Sequence, residues 1–261
     1  MSSANRAEPD APGLLVQPSD LTTAVLERLP GALLAFDVDG VLAPLVEHVD
    51  QSALTPGVDE ALAVLARHTP VTLLSGRSLD SLKRLLDFPP GLFVIGSHGL
   101  EVHGASGVEL TGDEQDLYEL LTSLGRRCVE ESGRGAWLEY KPASVAVHTR
   151  QADRARASDA VAALVAAAMR LDEATVKAGH QVVELFVRDT DKGTALLDLA
   201  GRVEAKSLVF LGDDRTDEEA FARMGPGDLS VRVGPGETVA RLRLAGHAQA
   251  AEFVIRLADS V

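Results

Sequence analysis

Short, nearly continuous apolar runs alternate along the chain with stretches whose apolar residues recur every three or four positions. Residues 32–36, 71–74, 92–95 and 208–211 are of the first kind, the pattern of parallel strands buried on both faces, and 229–233 reads as a further strand. Between the first two, Val58, Ala61, Leu62 and Leu65 keep helical spacing. This predicts a helix with Thr55 as its cap and Pro56 in its first position. Leu82, Leu85 and Leu86 predict another. Strand, helix, strand, helix is the order of an α/β sheet covered on both sides.

The middle of the chain breaks that rhythm. Leu117, Leu120, Leu121, Leu124 and Cys128 form one helical stripe. Residues 137–141 and 144–150 read as paired strands about Pro142, Val161, Leu164, Val165 and Met169 as a second helix, and 182–187 as a further strand. Helix, two strands, helix, strand is an α+β order, which predicts an inserted domain over 108–187. The α/β pattern then resumes with a helix over 191–200. The expected organisation is therefore a flexible tail over 1–13, a first core segment over 14–107, the insertion, and a second core segment over 188–261.

Composition narrows the class. The chain has 261 residues, 46% hydrophobic and 25% charged, the balance of a folded globular protein. A single cysteine, Cys128, excludes an internal disulfide framework and a multi-cysteine zinc site. No apolar run approaches the ~20 residues of a membrane helix, and the first residues lack a secretory apolar stretch. The expectation is a cytoplasmic monomer. A net charge of −14 argues against nucleic acid or an anionic membrane as the main partner. An anionic substrate would need a local arrangement to overcome that field.

The chemistry concentrates where strands end. Asp37-Val38-Asp39-Gly40 follows the first apolar run, and ligands of open α/β sheets bind beyond the carboxyl ends of strands. Residues two apart on a strand share a face, so Asp37 and Asp39 reach one place while Val38 points to the core. Two carboxylates so close imply a cation or a shared proton. A second acidic run, Gly212-Asp213-Asp214-Arg215-Thr216-Asp217-Glu218-Glu219, ends another apolar strand. Each run alone is equally an ordinary turn or helix start. Together they suit a hard-oxygen site, for which magnesium is the natural ion. An EF-hand fails because Val41 stands where an oxygen ligand is needed, and there is no Walker A, H-E-x-x-H or G-x-G-x-x-G. Ser75-Gly76-Arg77 follows the second strand, where a hydroxyl and helix-start N–H groups can hold a phosphoryl group, unless Ser75 or Ser78 merely caps the helix. Lys192 opens a helix, a poor place for a cation on dipole grounds, which favours a site role.

The order Asp-x-Asp-Gly, Ser-Gly-Arg, Lys-Gly, Gly-Asp-Asp-x-x-Asp resembles the haloacid dehalogenase superfamily of phosphohydrolases. More closely, Gly96-Ser97-His98-Gly99-Leu100-Glu101, Asp191-Lys192-Gly193-Thr194-Ala195-Leu196 and the run from Phe210 to Phe221 are similar to the trehalose-6-phosphate phosphatase family, over about residues 30 to 245. The resemblance implies a Rossmann-like parallel-sheet hydrolase core with an inserted α+β cap domain. It implies Asp37 as a nucleophile forming an aspartyl-phosphate and Asp39 as general acid and base. Magnesium would be held by Asp37, the Asp39 carbonyl and Asp213, with Asp214 and Asp217 orienting that shell. Ser75 and Lys192 would hold phosphate oxygens. Arg77, His98, Glu139, Lys141, His148 and Glu184 would contact the substrate, a sugar phosphate. Glu184 interrupts an apolar strand, which is costly without a partner. The family pattern has Thr where Val41 stands, so that hydroxyl is missing here. His180, His247 and Cys128 read as structural. Two other readings share the motifs: a phosphatase of a sucrose- or mannosyl-type phosphate, and a non-catalytic regulatory domain. The second usually lacks a motif aspartate, and all are present here.

Overall fold

The computed structural model describes residues 13–46, 51–179 and 181–261. The tail expected over 1–13 therefore lies outside the described residues except for Gly13, whose N–H donates to Ala240 O at 2.7 Å; His180 also lies outside them. The chain divides into two compact units, one running to Ala105 and resuming over Asp191–Val261, the other Ser106–Thr190.

The first unit holds β1 (Leu14–Leu15), α1 (Pro18–Leu26), β2 (Ala32–Phe36), α2 (Val58–Leu65), β3 (Val71–Leu74), α3 (Leu79–Leu82), β4 (Leu92–Gly96) and β5 (Glu101–Val102). The second holds α4 (Gly112–Ser132), β6 (Trp137–Lys141), β7 (Ser144–His148), α5 (Arg154–Ala168), β8 (Thr175–Gly179) and β9 (Val182–Phe186). The chain returns to the first unit with α6 (Lys192–Arg202), β10 (Ser207–Gly212), α7 (Arg215–Phe221), β11 (Leu229–Val233), β12 (Leu242–Leu244) and α8 (His247–Ala258).

The first unit is a sheet of order β1-β12-β11-β10-β2-β3-β4-β5, parallel except for the final pair. Its apolar runs are buried for the reason the sequence suggests: alternate side chains enter two different cores. Leu34, Phe36, Leu73, Val209 and Leu211 pack with Leu21 and Val25 of α1, Leu62 of α2 and Phe253 of α8. Leu33, Ala35, Leu74 and Phe210 pack on the other face with Leu196 and Leu199 of α6 and Phe221 of α7. Burying such side chains supplies about 1.5–3 kcal/mol each. The topology places β2 between β10 and β3, so the ends of those three strands, with their Asp and Ser residues, are neighbours. Val38 and Val41 are fully buried in the first core. The side chain at the position of the family's Thr is thus a packing residue.

The second unit is an antiparallel sheet of order β6-β7-β9-β8. Helix α4 lies against its Leu138 and Val147 face so closely that a Cβ on Gly125 would meet Leu138 Cδ1 at 2.7 Å. The opposite face carries Trp137, Glu139 and Lys141 from β6, Ser144 and His148 from β7, and Glu184 from β9, as the register requires.

Several expectations need correction. Helix α2 starts at Val58 with Gly57 as its N-cap in the left-handed region; Thr55 is not the cap, and its buried hydroxyl makes no hydrogen bond among the described residues. The second strand of the hairpin stops at His148 rather than 150. Met169 follows α5 as its C-cap and is 72% exposed, so it is no part of a buried stripe. Strand β8 was not foreseen: its segment, Thr-Val-Lys-Ala-Gly, has neither an apolar run nor a clean alternation. Among the described residues no helix is long and apolar enough to cross a membrane.

Candidate active site

The site assembles at three adjacent strand ends. Asp37 follows β2, and its N–H donates to Leu211 O of β10 at 2.9 Å, extending the ladder by one residue. Its side chain is 4% exposed, and Oδ1 accepts the Val38 N–H at 2.7 Å, which fixes the rotamer. The other oxygen, Oδ2, lies 2.9 Å from Lys192 Nζ. Lys192 sits at the first position of α6, after Asp191, whose carboxylate caps the helix by accepting the Thr194 N–H. Fully buried, Lys192 also reaches Asp217 Oδ1 at 2.8 Å. One ammonium thus bridges the end of β2 and the first turn of α7, which explains a cation where the helix dipole disfavours one.

Asp217 is completely buried, and its Oδ2 accepts the N–H groups of Asp213 and Asp214 at 2.8 and 3.0 Å. Asp214 in turn caps α7, accepting from the Thr216 and Asp217 N–H groups and completing a capping box. The acidic run is therefore both a helix start and a constellation: Asp214 and Asp217 tie down the loop that presents Asp213. Gly40 makes the approach possible. It has φ +78°, and a Cβ there would lie 2.0 Å from Asp213 Oδ2, so the turn after Asp39 passes directly over that carboxylate.

One carboxylate oxygen from each of Asp37, Asp213 and Asp217 lies within 4.8 Å of the others. Burial and the neighbouring charges of Asp217 and Asp214 push the Asp213 carboxyl up to about 7, against the pull of Lys192 and Arg232. Burial likewise raises Asp37 well above the ordinary carboxyl range, with Lys192 opposing and Asp217, Asp214 and Asp213 adding to the rise. For Lys192, burial acts against the charge, but Asp217 and Asp37 outweigh it and hold the ammonium on. Asp214 sits well below the usual range: burial works against ionisation, but Lys192 and hydrogen bonds from Thr216 and Asp217 prevail. One ammonium does not neutralise this many carboxylates, and the donors are all hard oxygen, which fits a divalent cation such as magnesium. Asp217 already takes three contacts, two N–H groups on Oδ2 and Lys192 on Oδ1, whereas each Asp37 oxygen has one, so Asp37 and Asp213 are the carboxylates with coordination capacity to spare.

Ser75 follows β3 and is buried, its Oγ accepting the Arg77 N–H at 3.2 Å. The helix cap is Ser78, which accepts from Ser81 N–H, so Ser75 is not spent on capping. Its loop is braced from β4: the N–H groups of Ser97 and His98 donate to Arg77 O and Ser75 O at 2.8 and 3.0 Å. Ser97 and His98 both have positive φ, 48° and 55°, a strained pair of the kind that clusters at functional sites. Glu101 supports the turn, accepting from Ser97 Oγ at 2.5 Å. The His98 ring packs on Gly76, where a Cβ would sit 2.7 Å from it. Arg77 clasps Asp39, Nε to Oδ2 and Nη2 to Oδ1, both 2.6 Å. The bracing role of Ser97 and Glu101 is a matter of backbone conformation and has no signature in the run Gly96-Ser97-His98-Gly99-Leu100-Glu101 itself.

In the second unit the expected sugar-contacting residues pair with one another. Lys141 Nζ lies 2.9 Å from Glu184 Oε2, and Ser144 Oγ donates to Glu184 Oε1 at 2.6 Å. Both charged groups are buried, 7% and 6% exposed, so the charge in the apolar strand is partnered as physics demands. His148 Nε2 lies 2.9 Å from Glu139 Oε2.

Comparison with known proteins agrees with this arrangement. A sequence model of the trehalose-phosphatase family matches residues 35–246. A trehalose-phosphate phosphatase of Mycobacterium marinum is 35% identical over 273 aligned positions, covering 97% of this chain but 66% of that protein; the chain thus spans about two thirds of the length of such curated relatives. Among solved structures, the C-terminal domain of a trehalose-6-phosphate phosphatase from C. albicans has a TM-score of 0.81 at 21% identity, covering 97% of this chain and 99% of that one. The C-terminal domain of a trehalose synthase regulatory protein from Candida albicans has a TM-score of 0.70 at 15% identity, covering 92% and 98%. These two likenesses concern the fold. With strand ends, buried lysine and family match in agreement, the chain belongs to the trehalose-phosphatase family.

Proposed function

We propose that this chain is a magnesium-dependent phosphatase that hydrolyses trehalose 6-phosphate to trehalose and phosphate through an aspartyl-phosphate. The observation that carries the reading is the buried Lys192 bridge between Asp37 and Asp217, set beside Asp213. A buried carboxylate with a fixed rotamer, next to one ammonium and a hard-oxygen donor set, is the equipment of phosphoryl transfer by positioning and charge neutralisation.

Asp37 Oδ attacks phosphorus while the bond to the sugar oxygen breaks. Asp39 donates a proton to that leaving oxygen. Water then attacks the aspartyl-phosphate, Asp39 takes its proton, and phosphate departs, restoring the Asp37 carboxylate and the protonated Asp39. Before the first step Asp39 must leave its clasp with Arg77, where both of its oxygens accept hydrogen bonds, and take up a proton from solvent. Freed, the guanidinium is available to the anionic substrate, and Ser75 and Lys192 hold phosphate oxygens. Asp37, Asp213 and the Asp39 carbonyl would hold magnesium, which would supply charge neutralisation at the phosphoryl group. Asp214 and Asp217 keep Asp213 in place. His98 supports the Ser75 loop and the substrate, and Glu139, Lys141, His148 and Glu184 read the sugar. We take the setting to be cytoplasmic and the enzyme to act as a monomer.

The test is release of free phosphate from a panel of trehalose, sucrose and mannosyl phosphates, with and without magnesium. The reading expects trehalose 6-phosphate to dominate and chelation to abolish turnover. Comparable rates on the other sugars would sink the substrate assignment, and no turnover at all would favour the regulatory alternative.

A further inference from the structure

Trp137 is the only tryptophan of the chain and is 45% exposed. Its indole stacks flat on the His148 imidazole, centroids 4.0 Å apart and planes within 6°. The two residues are direct partners on β6 and β7. The imidazole is in turn fixed by Glu139 at 2.9 Å. A folded chain gains by covering so large an apolar surface; here one ring face is backed by a pinned imidazole and nearly half of the residue is left to solvent. The other strongly exposed aromatic of β6, Tyr140, is on the opposite face and is engaged by Arg126, whose Nε donates to its hydroxyl at 3.1 Å.

The surroundings of Trp137 say what it suits. Its face of the sheet also carries Lys141 and Glu184, but these are buried and bonded to each other. The partly exposed residues of that face include the indole with Glu139 and His148 beside it, and Lys177 on the opposite edge strand β8, whose ammonium donates to Thr190 O. A rigid aromatic plane flanked by a carboxylate and an imidazole matches a pyranose ring, whose C–H groups pack on a π face while its hydroxyls bond at the rim. A purely apolar ligand would leave Glu139 and His148 unused, and a phosphate would meet the Glu139 charge.

We propose that Trp137 is the stacking platform for a glucose ring of the substrate, with His148 and Glu139 as positioning residues that hold the indole plane. The proposal rests on the phosphatase reading for the identity of the sugar, and it adds to that reading a specificity-determining residue.

Because the chain has one tryptophan, its emission reports on this position alone. Trehalose, which lacks the phosphate, is titrated into the full-length protein with magnesium, and inorganic phosphate serves as control. A saturable emission change with trehalose and none with phosphate is expected. Trp137→Ala should raise KM for trehalose 6-phosphate about tenfold with a smaller effect on kcat, and Trp137→Phe should recover most of that loss. His148→Ala should lower the fluorescence anisotropy of the indole, a change in its local mobility that a purely structural role elsewhere would not produce. Hydrolysis of trehalose 6-phosphate with no emission change and an unaltered KM in Trp137→Ala would overturn the proposal while leaving the phosphatase reading intact. An emission response without hydrolysis would do the reverse.

Discussion

Arg77 and Asp39 form a two-pronged ion pair, with both guanidinium contacts at 2.6 Å. The Arg77 side chain is 10% exposed and that of Asp39 31%. Paired, planar contacts of this kind are among the stronger charge-assisted hydrogen bonds. The residue proposed to move protons is thus held at rest by one proposed to meet the substrate. Entry of a phosphate that competes for the guanidinium would release Asp39 only when substrate is present.

If Asp39 is the acid and base, Asp39→Asn should lower kcat by about 10²–10⁴-fold. The fold should survive, because the amide oxygen still accepts one Arg77 N–H. Steady-state phosphate release together with thermal melting checks both halves. A variant within tenfold of wild-type kcat would remove Asp39 from the proton path.

Lys192 serves two carboxylates, so its loss strands both. Lys192→Met should abolish turnover and destabilise the fold by about 3–5 kcal/mol, the usual cost of leaving a buried charge unpaired. Neutralising Asp217 in the same chain removes part of that cost. The double variant Lys192→Met, Asp217→Asn should therefore be less destabilised than the sum of the singles. Denaturant midpoints for the four proteins give the coupling directly, and strict additivity would contradict the bridge.

Gly40 lies where φ is positive and a Cβ would overlap Asp213 Oδ2. In Gly40→Ala the turn and the carboxylate cannot both keep their places. The expected result is a raised half-saturating magnesium concentration and a loss of about 1–3 kcal/mol of stability from the strained backbone. A magnesium titration of activity, with melting curves alongside, separates the two effects. Unchanged magnesium dependence would mean that Asp213 is not a ligand.

How much of this was legible in the chain depends on what each feature needs. Strands β2, β3, β4 and β10 announce themselves because burial on both faces demands largely apolar residues, and Asp37 and Asp213 are visible because they end such runs. Edge strands carry no such demand, so β8, with Lys177 in its middle, was invisible. Pairings are harder still. Arg77 and Asp39 are 38 positions apart, and their contact follows only once β2 and β3 are known to be adjacent. Ser75 and Ser78 could each have capped α3, and only the backbone conformation decides that it is Ser78. The stacking of Trp137 on His148 needed the hairpin register, which alternation alone does not supply.

The Glu139–His148 contact carries a pH signature. Burial pushes the Glu139 carboxyl up, but the His148 hydrogen bond and the Lys141 charge outweigh it, and the net shift is downward. A carboxyl depressed in the folded state contributes stability above its unfolded value of about 4.3. That contribution disappears as the pH falls through the folded value, where both states carry the proton. Glu139→Gln should therefore be less stable than wild type at pH 7 by a gap that holds down to about pH 4.3 and narrows only below it. Chemical denaturation of the two proteins across that window measures it. A gap that stays constant or widens as the pH falls below about 4 would mean that the carboxylate is not stabilised by its partners, and that the imidazole behind Trp137 is held by packing instead.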